Sequence, residues 1–517
     1  MATYQGDNKR IAKNTLFLYI RMFFVLLANL YISRVLLQTL GVVDYGVYMV
    51  VGGLVSLFGF FNTTLASTLQ RYYNYEDTHR QEKGIQEVFS TGCFINLLMG
   101  IATFLILESI GLWYLNHYMV IPVERMDAAK MLFHASTLSL VFVILQIPAT
   151  GLILAKERMG FYSVVSIIDI MLKLGAAIAL SYIQAEHIST YAYFLLGIAI
   201  CDFLLYHAYA KLSFRYIHVT HKINKKLALS LMSFTGWNMI GTLAFMLRGQ
   251  GISLLLNNFF GPIVNAARGI SMQVSSAVGQ FSSNISMAFA PQISNSVAAE
   301  ETKRAEKLMF AESKICYALL LTLATPLCLE MDLILRLWLG DSIPANTNIF
   351  AILMLIDAVI CTLNTPCTQI TMATGNIRNY EIASTTVNLC LIPACYIFLK
   401  TGFSATSSFV ITIIFSIILL IVCLIITHNQ FSFKYSSYFR NVLYPCLALT
   451  MLLPIAPLLI RMSMQTSFIR LSVICMTVAI SCLPLVYFIL LDSREKLMAR
   501  EFIIELTNKY KKKRHIP

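Results

Sequence analysis

The residues of this chain best able to do chemistry crowd into one run, Gly261 to Pro291, which reads GPIVNAARGISMQVSSAVGQFSSNISMAFAP. Hydrocarbon cannot satisfy so many amide, hydroxyl and guanidinium groups. Asn265, Arg268, Ser275, Ser276, Ser283 and Ser286 recur at roughly helical spacing, on one stripe. One reading has the stripe face a wet cavity, with Gln280 and Asn284 in the same lining. Another is close helix packing through small residues, with serines bonding across helices; it explains the serines but not Arg268. Arg21 and Arg248 also lie inside apolar sequence, with no acid nearby on the same helix. A guanidinium keeps its charge at any cellular pH and donates a planar pair of hydrogen bonds, which suits phosphate. Arg21, Arg248, Arg268, Ser275, Gln280 and Asn284 are therefore the candidate substrate site, for a group bearing phosphate and many hydroxyls. Asp202 and Asp357 fall near mid-span and suit exchange of a proton or sodium ion; hydrogen bonding between helices explains them equally well. Asp169 and Lys173 stand four apart and are expected to pair with each other. Arg34 points about 140° away from Arg21 on an ideal helix and sits where it can snorkel.

These residues need a frame, and composition supplies it. Of 517 residues, 57% are hydrophobic and 13% charged, against about 25% charged in soluble proteins. Apolar runs long enough to cross about 30 Å of hydrocarbon recur from end to end. Fourteen membrane helices are expected: 14–37, 45–66, 88–111, 129–154, 162–184, 191–210, 227–257, 262–290, 308–335, 347–372, 380–399, 405–426, 441–461 and 468–491. No cleavage site follows the first, so it is expected to be retained. With a cytoplasmic N-terminus, the cytoplasmic pieces hold 27 of the 39 Lys+Arg and the outward loops only three, Arg125, Arg336 and Lys400. A missed helix would invert every later loop and destroy that asymmetry.

The net charge of +13 then needs no nucleic-acid partner, because a basic tail (Lys511, Lys512, Lys513, Arg514) rests naturally on anionic lipid. The twelve cysteines show no CxxC pair or metal spacing and are expected as reduced core thiols. His218 and His221 sit in a basic loop and are expected to be a solvated face rather than metal ligands. No P-loop is present, no connecting segment is long enough for a soluble domain, and no outward loop carries a catalytic set, so a non-enzyme without cofactor is expected.

One stretch is written twice. PATGLILAKERMGFY (Pro148 to Tyr162) and PCTQITMATGNIRNY (Pro366 to Tyr380) share Pro, Thr, Ala and Tyr at matching offsets, 218 residues apart. Both join an even-numbered helix to the next through a short cytoplasmic turn, and six helices separate them. Two six-helix lobes related by a parallel repeat, an axis along the membrane normal, are implied, with two extra C-terminal helices. The domains expected are 1–210 (N-terminal lobe), 211–226 (basic linker), 227–426 (C-terminal lobe), 427–491 (extra helices) and 492–517 (basic tail). Each proline is expected to bend its helix alike.

The run SRVLLQTLGVVDYGVYMVVGGLVSLFGFFNTTLASTLQRYYNYE from Ser33 carries Arg34, Leu40-Gly41, Gly46 and Arg71. With FFGPIVNAARGISMQV from Phe259 and APQI from Ala290, it resembles the polysaccharide flippases of the multidrug/oligosaccharidyl-lipid/polysaccharide (MOP) exporter superfamily. The resemblance covers the whole chain in architecture. It implies a multi-pass protein of the bacterial inner membrane, both termini cytoplasmic. Such a flippase moves undecaprenyl-diphosphate-linked oligosaccharide repeat units outward by alternating access, for surface polysaccharide or lipopolysaccharide biosynthesis. Its partners would be the lipid-linked oligosaccharide, membrane lipid and the glycan polymerase or ligase machinery. Its drive would be an ion gradient or the membrane potential. Arg21, Arg248 and Arg268 fit the cationic cavity positions of related flippases. The alternatives are a peptidoglycan-precursor lipid flippase or a cation-coupled drug antiporter of the same superfamily; a drug antiporter would want a more acidic or apolar cavity.

Overall fold

The structure is a computed structural model and describes residues 2–79, 81–156, 158–217, 224–375, 377–431, 433–492 and 496. His218, His221 and the tail arginine and lysines from 511 lie outside the described residues. Helices account for nearly all of what is described, with no strand among the described residues. In chain order they are α1 (Ala2–Ser56), α2 (Phe60–His79), α3 (Gln81–Ile106), α4 (Leu112–His117), α5 (Met126–Ala155), α6 (Met159–Leu180) and α7 (His187–Ser213). Then follow α8 (Lys225–Phe260), α9 (Pro262–Ala298), α10 (Thr302–Leu329), α11 (Met331–Leu339), α12 (Thr347–Cys361) and α13 (Asn364–Thr374). The last are α14 (Arg378–Lys400), α15 (Thr406–Phe431), α16 (Tyr435–Tyr438), α17 (Tyr444–Leu452), α18 (Ile455–Ser463) and α19 (Phe468–Leu485).

Apolar length marks eleven candidate spans. One of them, the 56-residue run Arg21–Glu76, covers most of the first expected segment and all of the second. Helices α8 and α9, 36 and 37 residues long, coincide with the expected seventh and eighth outside that count. At about 1.5 Å per residue each exceeds the hydrocarbon thickness.

The chain divides into two compact units: Met1–Gln273 with Trp338–Thr347 and Thr385–Ile411, and Val274–Leu337 with Asn348–Ser384 and Thr412–Pro517. In the first unit, α2, α3, α5 and α7 close around Leu65, Tyr73, Ile85, Val88, Ile144, Leu152 and Tyr206. One end of it is tied by charge. Arg125 lies 3.0 Å from buried Asp44 and 3.9 Å from Glu186, and Glu186 itself caps α7 by accepting from the amides of Ile188 and Ser189. In the second unit, α10 packs against α13, α17 and α19, so the added C-terminal helices rest on it. The Tyr317 and Thr450 hydroxyls meet at 2.7 Å there, and Lys314 Nζ donates to the Leu490 carbonyl at 3.0 Å.

The helix breaks repeat. Gly41 interrupts α1 at φ 78, ψ 170, and Gly261 separates α8 from α9 at φ 76, ψ −172. Both values lie in a region essentially restricted to glycine. The two glycines are 220 residues apart, close to the spacing of the repeated proline stretches. The prolines themselves act differently: α5 runs on through Pro148, whereas segment 347–374 is divided at Thr362–Leu363, one turn before Pro366. A proline removes the bond to the carbonyl four residues back, and only the second copy gives up its helix there. In that copy the repeated Thr368 and Tyr380 hydroxyls meet at 2.9 Å; in the first, Thr150 accepts from Gln146 at 3.3 Å.

Candidate functional site

Arg268 is placed by the turn at Gly261. Its positive φ turns α9 back along α8, so Arg268 reaches the helix before it. Arg268 is 6% exposed. Its Nε donates to Ser253 Oγ and its Nη2 to the Gly249 carbonyl, each at 2.9 Å, and its guanidinium lies 5.4 Å from the centre of the Phe409 ring. Arg248, one residue before Gly249, instead donates to Asn388 Oδ1 on α14 at 3.3 Å. The structure thus brings Arg248 and Arg268 to neighbouring positions on α8 and α9. They face different helices, α14 and α15.

Arg21 stands elsewhere in the same unit. Its guanidinium lies over the Tyr162 ring, 4.7 Å from the centre, a cation–π geometry. Its Nε is buried and has no hydrogen-bond partner among the described residues. The repeated tyrosine of the first copy therefore serves the arginine, where its counterpart Tyr380 serves a threonine.

The polar face of α9 splits between the two units. In the first, Gln273 accepts from Ser33 at 2.6 Å and donates to Tyr45 at 3.3 Å, and Ser271 donates to the Thr347 carbonyl at 3.1 Å. In the second, Ser275 donates to the Met354 carbonyl on α12 at 3.3 Å, and Ser283 donates back along its own helix to Gly279. These hydroxyls make the cross-helix and back-bonded contacts of close packing. Gln280 and Asn284 are half-buried.

The acids separate similarly. Lys173 lies 2.8 Å from Asp169, as their spacing predicts. Asp202 of α7 joins them, in hydrogen-bond reach of Asp169, with a buried Oδ1 that has no hydrogen-bond partner. Tyr48 and Tyr191 stack edge-on in the same unit, Tyr191 close enough to Asp169 to feel its charge. Asp357 accepts a short hydrogen bond from Ser416 in the second unit. Among the described residues no cluster of His, Cys, Asp and Glu suits a metal ion.

Of the motif residues, Gly41 has its special backbone and Gly46 has no room for a side chain, since a Cβ there would collide with the Pro262 carbonyl. Arg34 is half-buried and Arg71 is exposed near the end of α2. Sequence reasoning passed over four buried charged residues. Glu312 and Lys314 lie in the first turns of the ninth expected segment, on α10. Glu330 and Arg470 lie at opposite edges of apolar runs and meet at 2.7 Å.

No protein-family model matches the chain, and no curated protein matches it. Solved structures do. Lipid II flippase MurJ, in an inward closed conformation, is similar with a TM-score of 0.70 and 15% identity, covering 95% of this chain and all of that one. An inward-facing multidrug resistance MATE family transporter gives 0.66 at 13% identity, covering 81% of this chain and 98% of that one. A MOP superfamily transporter from Pyrococcus furiosus, reported for the reverse polarity of its binding pocket, gives 0.60 at 12% identity, covering 81% and 96%. Helical content, spans and these likenesses agree: this is a multi-pass, all-α membrane protein with the fold of the MOP-superfamily transporters and flippases.

Proposed function

We propose that the chain is a flippase carrying undecaprenyl-diphosphate-linked oligosaccharide repeat units from the cytoplasmic to the periplasmic leaflet of a bacterial inner membrane, by alternating access, for surface polysaccharide biosynthesis. The observation that carries this reading is Arg21. It is a guanidinium held over an aromatic ring within a membrane helix, with a buried Nε donor that no acceptor among the described residues uses. A phosphate oxygen is the acceptor such a donor suits best. Arg248 adds a second guanidinium on α8 of the same unit, and Asn388, which it meets, adds a neutral partner for a sugar hydroxyl. Asp202 and Asp357 serve exchange of the coupling ion, and the glycan polymerase or ligase accepts the product.

The extent of the likeness supports a lipid-linked substrate. The lipid II flippase fold accounts for 95% of this chain, the inward-facing MATE fold for 81%. The same likeness supports a second reading, a peptidoglycan-precursor lipid as cargo. Complementation separates the two. A strain lacking its surface-glycan flippase should regain surface glycan when given this chain and lose it again with Arg21→Ala, at equal membrane abundance. Rescue of a strain depleted of its peptidoglycan-precursor flippase, without rescue of surface glycan, would assign the second cargo instead.

A further inference from the structure

Among the described residues, two acids are buried in the second unit, and their surroundings differ. Glu330 has Arg470 at 2.7 Å. Glu312, on α10, is 0% exposed and among the described residues has no cationic group in contact. Lys314, two residues on, directs its Nζ to the Leu490 carbonyl. What Glu312 meets is neutral. Gln369 of α13 donates from one Nε2 to Glu312 Oε1 and to the Ser286 carbonyl, both at 3.1 Å. The Ser286 hydroxyl also faces the carboxyl. Two thiols lie close enough to feel its charge, Cys316 on its own helix and Cys367 on α13. Beyond them Cys423 lies against Cys367, and Tyr438 packs on Phe310.

Two oxygens at this place, Glu312 Oε2 and Gln369 Oε1, are buried without a hydrogen-bond partner among the described residues. A bare carboxylate in this setting costs far more than one neutral hydrogen bond returns. Its charge must be cancelled by something that binds it. The donors on hand are carboxyl, amide, hydroxyl and backbone oxygens, which suit a hard cation. Access is short as well: α10 opens on exposed residues about two and a half turns before Glu312.

We propose that Glu312, Gln369 and Ser286 form a binding site for one monovalent cation, a proton or a sodium ion, exchanged at the end of the second unit where α10 begins. The site shares no residue with the arginines of the first unit and stands whatever the cargo is.

The test uses the purified full chain in lipid nanodiscs and two readouts. Difference infrared spectroscopy reads the carbonyl band of a protonated carboxyl, and radioactive sodium reads cation binding. A band in the wild type that titrates between about pH 5 and about pH 9, and that Glu312→Gln removes, assigns a proton. A sodium stoichiometry near one that Glu312→Gln abolishes assigns sodium. A band that never titrates, or readouts identical in wild type and Glu312→Gln, overturns the proposal. Should Glu312→Gln not fold, Glu312→Asp is read in the same way. It keeps the acid but withdraws it from Gln369, so a shifted titration or about tenfold weaker sodium binding is expected, and no change overturns the proposal.

Discussion

Glu330 and Arg470 form a buried ion pair 2.7 Å apart between the end of α10 and the start of α19. Arg470 also donates to the Met464 carbonyl at 2.9 Å, fastening the turn before its own helix. This pair ties the C-terminal hairpin to α10. Removing one partner strands the other charge, a loss of about 3–5 kcal/mol in buried pairs, whereas replacing both by apolar residues is often neutral. Glu330→Gln should therefore lower the thermal unfolding temperature sharply, and Glu330→Leu with Arg470→Met should recover most of the loss. A single variant as stable as the wild type in a detergent melt would refute a tying role.

Gly46 predicts a sharp contrast with a near neighbour. A methyl at Gly46 meets the Pro262 carbonyl, while a methyl at Gly52 meets nothing within 4 Å. Backbone cannot yield as a flexible side chain can. Gly46→Ala should cost about 1–3 kcal/mol, the range for overpacking, and reduce membrane abundance. Gly52→Ala should be neutral or slightly stabilising by restricting the unfolded chain. Quantifying both proteins in membranes at matched expression checks the pair.

Arg21 separates charge from shape. Lysine keeps the positive charge but lacks the planar fork that stacks on Tyr162. Losing a charge-assisted hydrogen bond costs about 1.5–3 kcal/mol, or about ten- to a hundredfold in transport. Arg21→Ala should fall by that factor, with Arg21→Lys between it and the wild type. Arg268 should behave differently, because it is bound to Ser253 and Gly249 on α8. Arg268→Ala should lower the melting temperature together with transport, while Arg21→Ala lowers transport alone.

Lys173 stands beside two carboxylates that otherwise face each other. Lys173→Ala leaves Asp169 and Asp202 without that cation, and like charges at contact repel. Transport and stability should both fall. Adding Asp202→Asn to the same chain should restore stability, because one remaining acid no longer has a like neighbour. A double variant no more stable than Lys173→Ala, measured by thermal melts, would remove Asp202 from this cluster.

Properties that accumulate along the chain were legible in the sequence. Spans follow from unbroken apolar runs of about twenty residues, so the helix edges fall within a few residues of those expected from α5 to α8. The Asp169–Lys173 pair was legible too, since spacing on one helix determines contact. The repeat could be read in part: Pro148 and Pro366 announced it, but the matched backbone at Gly41 and Gly261 needed coordinates. Residues distant in sequence were beyond reach. Nothing in the order of residues says that Glu330 finds Arg470 and Glu312 finds only Gln369. Nor does it say that Arg21 keeps a donor unused while Arg268 has donors engaged by α8. Whether a segment crosses the membrane depends on composition along the chain, whereas the state of a buried charge depends on which atoms packing brings within about 3 Å.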